Sequence, residues 1–256
     1  MRVAAVVVAA GEGRRMSERW RHSPFAGVIS TPVAKQFLPL AGKPLVCHAL
    51  DVLQRCEAVE FVALVVGAQD VAFAQAEVVA RFALAKVQAV VAGGPSRQES
   101  VYRGLQRLAL EDGGWDYVVV HDGVRPLISE PLVLAVLEAA QRYGAATVGV
   151  PAQDTIKLVD PRGLVAATPD RRRLWAVQTP QAFRFSLLVE AHRQAAERGL
   201  EATDDCALVE AMGEPVRVVR GTPSNLKVTT PEDLIMAEAL LRARQAGDAG
   251  FCHNGH

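Results

Sequence analysis

Runs of β-branched and small apolar residues alternate along the chain with segments whose apolar positions recur every three or four residues. Val3 to Val8 is an unbroken run of the first kind, the pattern of a strand buried on both faces. Similar runs cover Phe61–Val66, Val87–Val91, Tyr117–Val120 and Thr147–Val150. Between them the period changes. Leu45–Cys56 reads as a helix, and Ser96–Leu110 as another that opens on a capping box, Ser96 with Glu99. Ser129–Tyr143 is a third, with Pro131 in its first turn and Gly144 past its end. Strands alternating with helices predict a doubly wound, mostly parallel α/β sheet covered on both faces, whose ligands sit beyond the carboxyl ends of the strands.

After Val150 the rhythm changes. Asp154–Val159 and Leu164–Thr168 flank the turn sequence Asp160-Pro161-Arg162-Gly163 and predict a hairpin standing apart from the sheet. Helices at Ser186–Arg198 and Asp204–Met212 follow, each closed by a glycine, then a strand at Pro215–Arg220 and a last helix starting at Thr230-Pro231-Glu232-Asp233. A single domain over 1–246 is expected, with an arm at about 151–175 and a disordered tail at 247–256. The segment Ser17–Ala34 has no clear period and is expected to be a long loop or lid.

Composition narrows the function. Half of the 256 residues are hydrophobic, enough for a sizeable core, and the formal net charge is zero. A general attraction for nucleic acid or membrane is therefore not expected, and an anion site must be local. No run reaches the ~18 apolar residues of a membrane helix. Cys47, Cys56, Cys206 and Cys252 form no CxxC pair and read as thiols of a reducing compartment, so a cytoplasmic location is expected.

The chemistry clusters at strand ends. The first strand empties into Ala9-Ala10-Gly11-Glu12-Gly13-Arg14-Arg15-Met16, small enough to let phosphates approach the backbone. Met16 stands where a dinucleotide fingerprint needs a glycine, and Gly42-Lys43-Pro44 lacks the remaining parts of a P-loop. Lys35 follows the loop. Gly93-Gly94 ends the third strand, where Ser100 is placed to hydrogen-bond a flat base, although a capped β-to-α turn explains the same residues. His121-Asp122-Gly123-Val124-Arg125-Pro126 closes the fourth strand with a carboxylate suited to a phosphate-bound divalent cation, or to a plain ion pair with Arg125. Asp170-Arg171-Arg172-Arg173 suggests a second phosphate or a solvated charged arm. Lys227 lies in a β-like run, where an inward lysine would call for an anion.

Eight segments occur together in order: Ala9-Ala10-Gly11-x-Gly13-x-Arg15-Met16, Lys35-Gln36, Gly93-Gly94-x-x-Arg97-x-x-Ser100-Val101, His121-Asp122-x-x-Arg125-Pro126, Asp154-Thr155-x-Lys157, Gln178-Thr179-Pro180-Gln181, Thr203-Asp204-Asp205 and Asn225-x-Lys227-Val228-Thr229-x-Pro231-Glu232-Asp233-Leu234. In this the chain resembles the 2-C-methyl-D-erythritol 4-phosphate cytidylyltransferases of the non-mevalonate isoprenoid pathway, over roughly residues 2–242. The resemblance implies a Rossmann-like fold with a β-hairpin dimerisation arm. It also implies transfer of CMP from CTP to the polyol phosphate, with release of pyrophosphate and Mg2+ bridging the phosphates. Ala9, Ala10, Gly11, Gly94 and Ser100 would hold the cytidine, and Gly123 would leave room for the ribose. Arg15, Lys35 and Lys227 would surround the α-phosphate as catalytic residues. Asp122 and Arg125 would flank the substrate and the triphosphate, and Thr203 would complete the pocket. Thr155 and Arg171 would reach the neighbouring subunit's substrate phosphate in a homodimer with exchanged arms.

Two departures from that family stand out, the longer loop between Met16 and Lys35 and Gly123-Val124 where two alanines are common. Two alternatives remain open at this point. One is the ribitol 5-phosphate cytidylyltransferase branch, whose first loop more often reads Ala-Gly-Gly. The other is a non-catalytic sensor of nucleotide and sugar phosphate.

Overall fold

β1 (Val3–Ala9) forms the spine of the sheet, as its valines dictate. The computed structural model describes residues 1–11 and 34–251. Arg15 and all of the 17–34 segment except Ala34 lie outside the described residues. From Ala34 the chain makes a 3-10 turn, Lys35–Phe37, then a small antiparallel pair, β2 (Pro39–Leu40) and β3 (Lys43–Pro44). α1 (Leu45–Arg55), β4 (Phe61–Val66) and a helical stretch follow, in which α2 (Val71–Phe73) continues as a π-helix through Ala80. Next come β5 (Val87–Ala92), α3 (Arg97–Leu108), β6 (Tyr117–Asp122), α4 (Glu130–Tyr143) and β7 (Ala145–Pro151). The arm carries β8 (Leu158–Val159), β9 (Val165–Ala167) and a 3-10 turn at Arg171–Arg173. β10 (Trp175–Arg184), α5 (Phe185–Arg198), α6 (Asp205–Glu210), β11 (Arg217–Arg220) and α7 (Pro231–Phe251) complete the chain.

The main sheet has seven strands in the order β11-β7-β10-β6-β1-β4-β5. β10 alone runs antiparallel, between β6 and β7. The fold is therefore α/β and Rossmann-like, with a mostly parallel sheet.

Alternation along β1 builds two cores. Val3, Ala5 and Val7 face one layer with Val46, Leu50, Leu53, Val133 and Leu137 of α1 and α4. Ala4 and Val6 face the other, with Val101, Leu105 and Leu108 of α3 and Leu188 of α5. Gly104 lets α3 press onto β1, since a Cβ there would stand 2.6 Å from Val6 Cγ1.

Several expectations are corrected. The arm hairpin is only two and three residues long, and its strands are exposed, so no core extends its pairing. β10 carries no legible run, because Gln178, Thr179, Pro180 and Gln181 interrupt its apolar pattern. The sequence analysis predicts no element over 71–80, where the structure has a helical stretch whose only polar residues are Gln75 and Glu77. α7 runs to Phe251, so residues 247–251 are helical where a disordered tail was expected. Residues 252–256 lie outside the described residues.

Candidate active site

Three strand ends meet through small residues. The Gly93-Gly94 turn after β5 lies against the end of β1, where a Cβ on Gly93 would stand 2.4 Å from Ala10 Cβ. Gly123, after β6, comes to 3.1 Å from Ala9 Cβ on the same test, and its N–H donates to Val8 O at 2.8 Å. Ala9, Ala10, Gly11, Gly94 and Gly123 thus share the carboxyl rim of the sheet, as the sequence predicts. Ser100 differs in what its hydroxyl does. It is buried, accepts from Gly94 N–H at 3.1 Å and donates to Ser96 O at 2.8 Å. Its bonds are spent shaping the glycine turn, so its effect on a ligand would pass through that shape.

Beside this rim, Asp122 at the end of β6 gathers three cations. Arg97, the first residue of α3, places Nε 3.1 Å from Asp122 Oδ1. Lys227 places Nζ 2.8 Å from Oδ2, and Arg125 Nε stands 3.7 Å from the same oxygen. Burial alone would raise the pKa of Asp122, but Arg97, Lys227 and Arg125 outweigh it and hold the group well below the usual carboxylate range. Arg97 also bonds Asp205 at 2.7 Å. Burial opposes its charge, yet the two carboxylates raise its pKa. Burial lowers the pKa of Arg125, and Arg97 adds to that effect.

The backbone that carries these groups is pinned by polar side chains from β10. Thr179 Oγ1 accepts from Asp122 N–H at 3.0 Å and lies 3.0 Å from His121 Nδ1. Its proton therefore goes to Nδ1, and His121 donates through Nε2 to Arg125 O at 3.1 Å. Burial favours this neutral imidazole and pushes its pKa down to about 4. The loop bearing Lys227 is tied to the same strand. Asn225 Nδ2 donates to Thr179 O at 2.8 Å, Arg125 Nη1 donates to Asn225 O at 2.9 Å, and Val228 N–H donates to Val124 O. The Thr179–Pro180 peptide is cis.

A cavity of about 490 Å3 opens over this cluster. Its walls include Arg97, Asp122, Arg125, Thr203 and Lys227, with Gln178, Thr179 and Gln181 from β10. Four sequence-predicted site residues, Asp122, Arg125, Thr203 and Lys227, are thus brought together. Lys35 is not among the lining residues; it is half-buried in the turn packed on α1. Thr155 and Arg171 are exposed on the arm, where Arg171 Nη1 donates to Gln153 O at 3.0 Å. Arg97, Thr179 and Asn225 stand in the quoted motifs, yet no role was read for them. Only the fold reveals their partners, which lie up to 108 residues away in sequence.

Among the described residues, no cluster of three or more His, Cys, Asp or Glu could hold a metal ion. Asp122 faces three cations, so a divalent ion fits here only if phosphate oxygens of a ligand carry most of its coordination. No helix among the described residues is long and apolar enough to cross a membrane.

A family model described as 2-C-methyl-D-erythritol 4-phosphate cytidylyltransferase matches residues 3–243. The chain belongs to that family. It is thus a cytidylyltransferase, and the ribitol branch and the sensor are not favoured. A cytidylyltransferase of this name from Pelotomaculum thermopropionicum is 47% identical over 244 residues, covering 95% of this chain and 96% of its own. One from Geobacillus kaustophilus is 46% identical over 248 residues, covering 96% of this chain and 100% of its own. Among solved structures, the family enzyme of Thermus thermophilus superposes with a TM-score of 0.70 at 31% identity, covering 94% of this chain and 100% of that one. The 4-diphosphocytidyl-2C-methyl-D-erythritol synthase of Anaerococcus prevotii superposes at 0.74 and 29% identity, covering 94% and 98%.

Proposed function

We propose that this chain transfers CMP from CTP to 2-C-methyl-D-erythritol 4-phosphate, giving 4-diphosphocytidyl-2-C-methyl-D-erythritol and pyrophosphate. The observation that carries the reading is the cluster of Arg97, Arg125 and Lys227 around one carboxylate beside a cavity of about 490 Å3. A substrate phosphate oxygen attacks the α-phosphorus of CTP in line. The new P–O bond forms as the bond to the β-phosphate oxygen breaks, and pyrophosphate departs with that electron pair. A phosphate monoester is largely dianionic near neutral pH, so a strong general base is not needed. What is needed is a site that brings two anions together and stabilises the charge that spreads in the transition state.

The cluster is suited to that. Three cations converge on Asp122 at one side of the cavity, and Lys227 is open enough to meet a phosphate. Arg125 and Thr203 face the polyol phosphate, and the glycine and alanine rim receives the cytidine. Lys35 and Arg15 act at the α-phosphate from the chain before β2. Magnesium, when carried by the nucleotide phosphates beside Asp122, supplies further neutralisation of the triphosphate. The exposed apolar residues Ile156, Leu158, Val159, Leu164 and Val165 support an arm that docks on a second copy, so that Thr155 and Arg171 serve its site. A cytoplasmic homodimer follows from this reading.

The direct test is pyrophosphate release from CTP with 2-C-methyl-D-erythritol 4-phosphate and, in parallel, ribitol 5-phosphate, each with and without Mg2+. Turnover on the erythritol compound that needs the metal supports the reading. Equal or better turnover on ribitol 5-phosphate would transfer the chain to the other polyol.

A further inference from the structure

Behind the cavity, Arg97 is the visible end of a buried chain of polar groups. Its Nε holds Asp122 at 3.1 Å, and its Nη1 holds Asp205 Oδ2 at 2.7 Å. Asp205 Oδ1 accepts from His192 Nε2 at 3.0 Å, and both side chains are about 1% exposed. The His192 ring lies parallel to Tyr102, with centroids 5.6 Å apart and planes within 3°. Tyr102 and Arg97 are both on α3, so the contacts close a ring through α3, α6 and α5. The ring borders the cavity at Arg97 and along α6, where the Thr203-Asp204 segment and Cys206, Ala207 and Glu210 line it.

A buried ionic group of this kind is seldom the most stable filling for a helix interface; apolar residues of like volume do as well or better. Its location is what stands out. Asp122 has two oxygens, one held by Arg97 and the other by Lys227. Whatever pulls Arg97 away leaves the carboxylate to Lys227 and Arg125, and so neutralises the lysine that would meet a phosphate. Arg97 divides its hydrogen bonds between two carboxylates. His192 occupies the second oxygen of Asp205 and so limits that carboxylate's hold on Arg97.

We infer that Asp205 and His192 are positioning residues, which set Arg97 on Asp122, so that this carboxylate is shared and holds Lys227 less fully where the α-phosphate meets the attacking phosphate of the polyol substrate. The inference rests on the function proposed above and adds residues to it that never touch substrate. Loss of the His192 donor leaves Asp205 with Arg97 as its charged partner. Arg97 then shifts toward Asp205, Asp122 turns toward Lys227, and polyol phosphate binding weakens.

The experiment is steady-state pyrophosphate release by the full chain, as wild type, His192→Phe, His192→Gln and Arg97→Lys. Phenylalanine keeps a ring against Tyr102 without a donor. Glutamine keeps an amide donor near the Nε2 position. Lysine keeps the charge but cannot bridge two carboxylates as a guanidinium does. His192→Phe and Arg97→Lys should raise KM for 2-C-methyl-D-erythritol 4-phosphate roughly tenfold, with KM for CTP within about twofold, the scale of one charge-assisted hydrogen bond. His192→Gln should restore KM to near the wild-type value. A structural role alone would lower the active fraction, and so kcat, without moving either KM. Unchanged KM values in His192→Phe and Arg97→Lys would overturn the inference while leaving the function intact. Should His192→Phe fail to fold by circular dichroism, His192→Leu, which also lacks a donor, takes its place in the comparison with His192→Gln, and an unchanged KM there overturns the inference. Absence of turnover in the wild type would remove the proposed function, and this inference with it.

Discussion

Asp122 is a carboxylate whose pKa burial alone would raise, and which Arg97, Lys227 and Arg125 hold charged. Removing one cation strips a phosphate donor and also changes what the carboxylate grips. Lys227→Ala is therefore expected to lower kcat/KM by about 10²-fold, the scale of losing one transition-state donor, as read from pyrophosphate release. His121 carries a different consequence. It is buried neutral, and burial lowers its pKa from 6.5 to about 4. The unfolded chain thus binds more protons than the folded one between those values. Stability is fully present above about 6.5 and declines as pH falls toward 4, by on the order of 3 kcal/mol. His48, also lowered by burial, adds with the same sign. The urea midpoint should drop between about pH 7 and pH 4.5, and His121→Asn should flatten the drop. A wild-type midpoint constant over that interval would contradict the neutral ring. The charge on Asp122 contributes in a separate window, lost only as pH falls below the ordinary carboxylate value of 3.8.

The elements divide by how openly the sequence shows them. β1, β4 and the body of β6 are legible because strands buried on both faces must be apolar, and β5, an edge strand with Gln88 exposed, is legible from its valines. α3 is legible from both its period and its cap, where Ser96 Oγ accepts from Glu99 N–H at 3.0 Å. β10 is hidden because it trades apolar residues for Gln178, Thr179 and Gln181, whose partners come from β6, β7 and the 222–225 loop. The arm was overextended because alternation there has no core to select a register. In the site, glycines and lysines advertise themselves by type and spacing. Arg97 does not, since its meaning depends on Asp205, 108 residues away. One prediction belongs to this scale. A methyl on Gly104 would stand 2.6 Å from Val6 Cγ1 and 3.2 Å from Val65 Cγ2. Gly104→Ala should therefore cost about 1–3 kcal/mol in urea unfolding, by forcing α3 off the sheet.

At the scale of the whole molecule the arm stands out. Its β8–β9 pair leaves Leu158, Val159 and Val165 more than half exposed, which a lone chain gains nothing from. On the proposed docking of the arm on a second copy, the wild type should sediment as a dimer and Leu158→Asp should shift it toward monomer. Arg171→Ala should raise KM for the polyol phosphate roughly tenfold, with KM for CTP little changed. A rise in KM for CTP alone would separate the arm from the polyol site.

The placement of β10 has a further consequence for synthesis of the chain. On a translating ribosome, β1, β4, β5 and β6 emerge early and can pair at once, and β7 follows with its helix. Nothing can join β7 to β6 until residues 175–184 have left the exit tunnel and slid in between. Until then both neighbours offer bare edges, the condition in which nascent sheets stick to one another. The same late segment delivers Thr179 to Asp122, so closing the gap in the sheet and pinning the carboxylate's backbone are one event, with β11 and Lys227 still to follow.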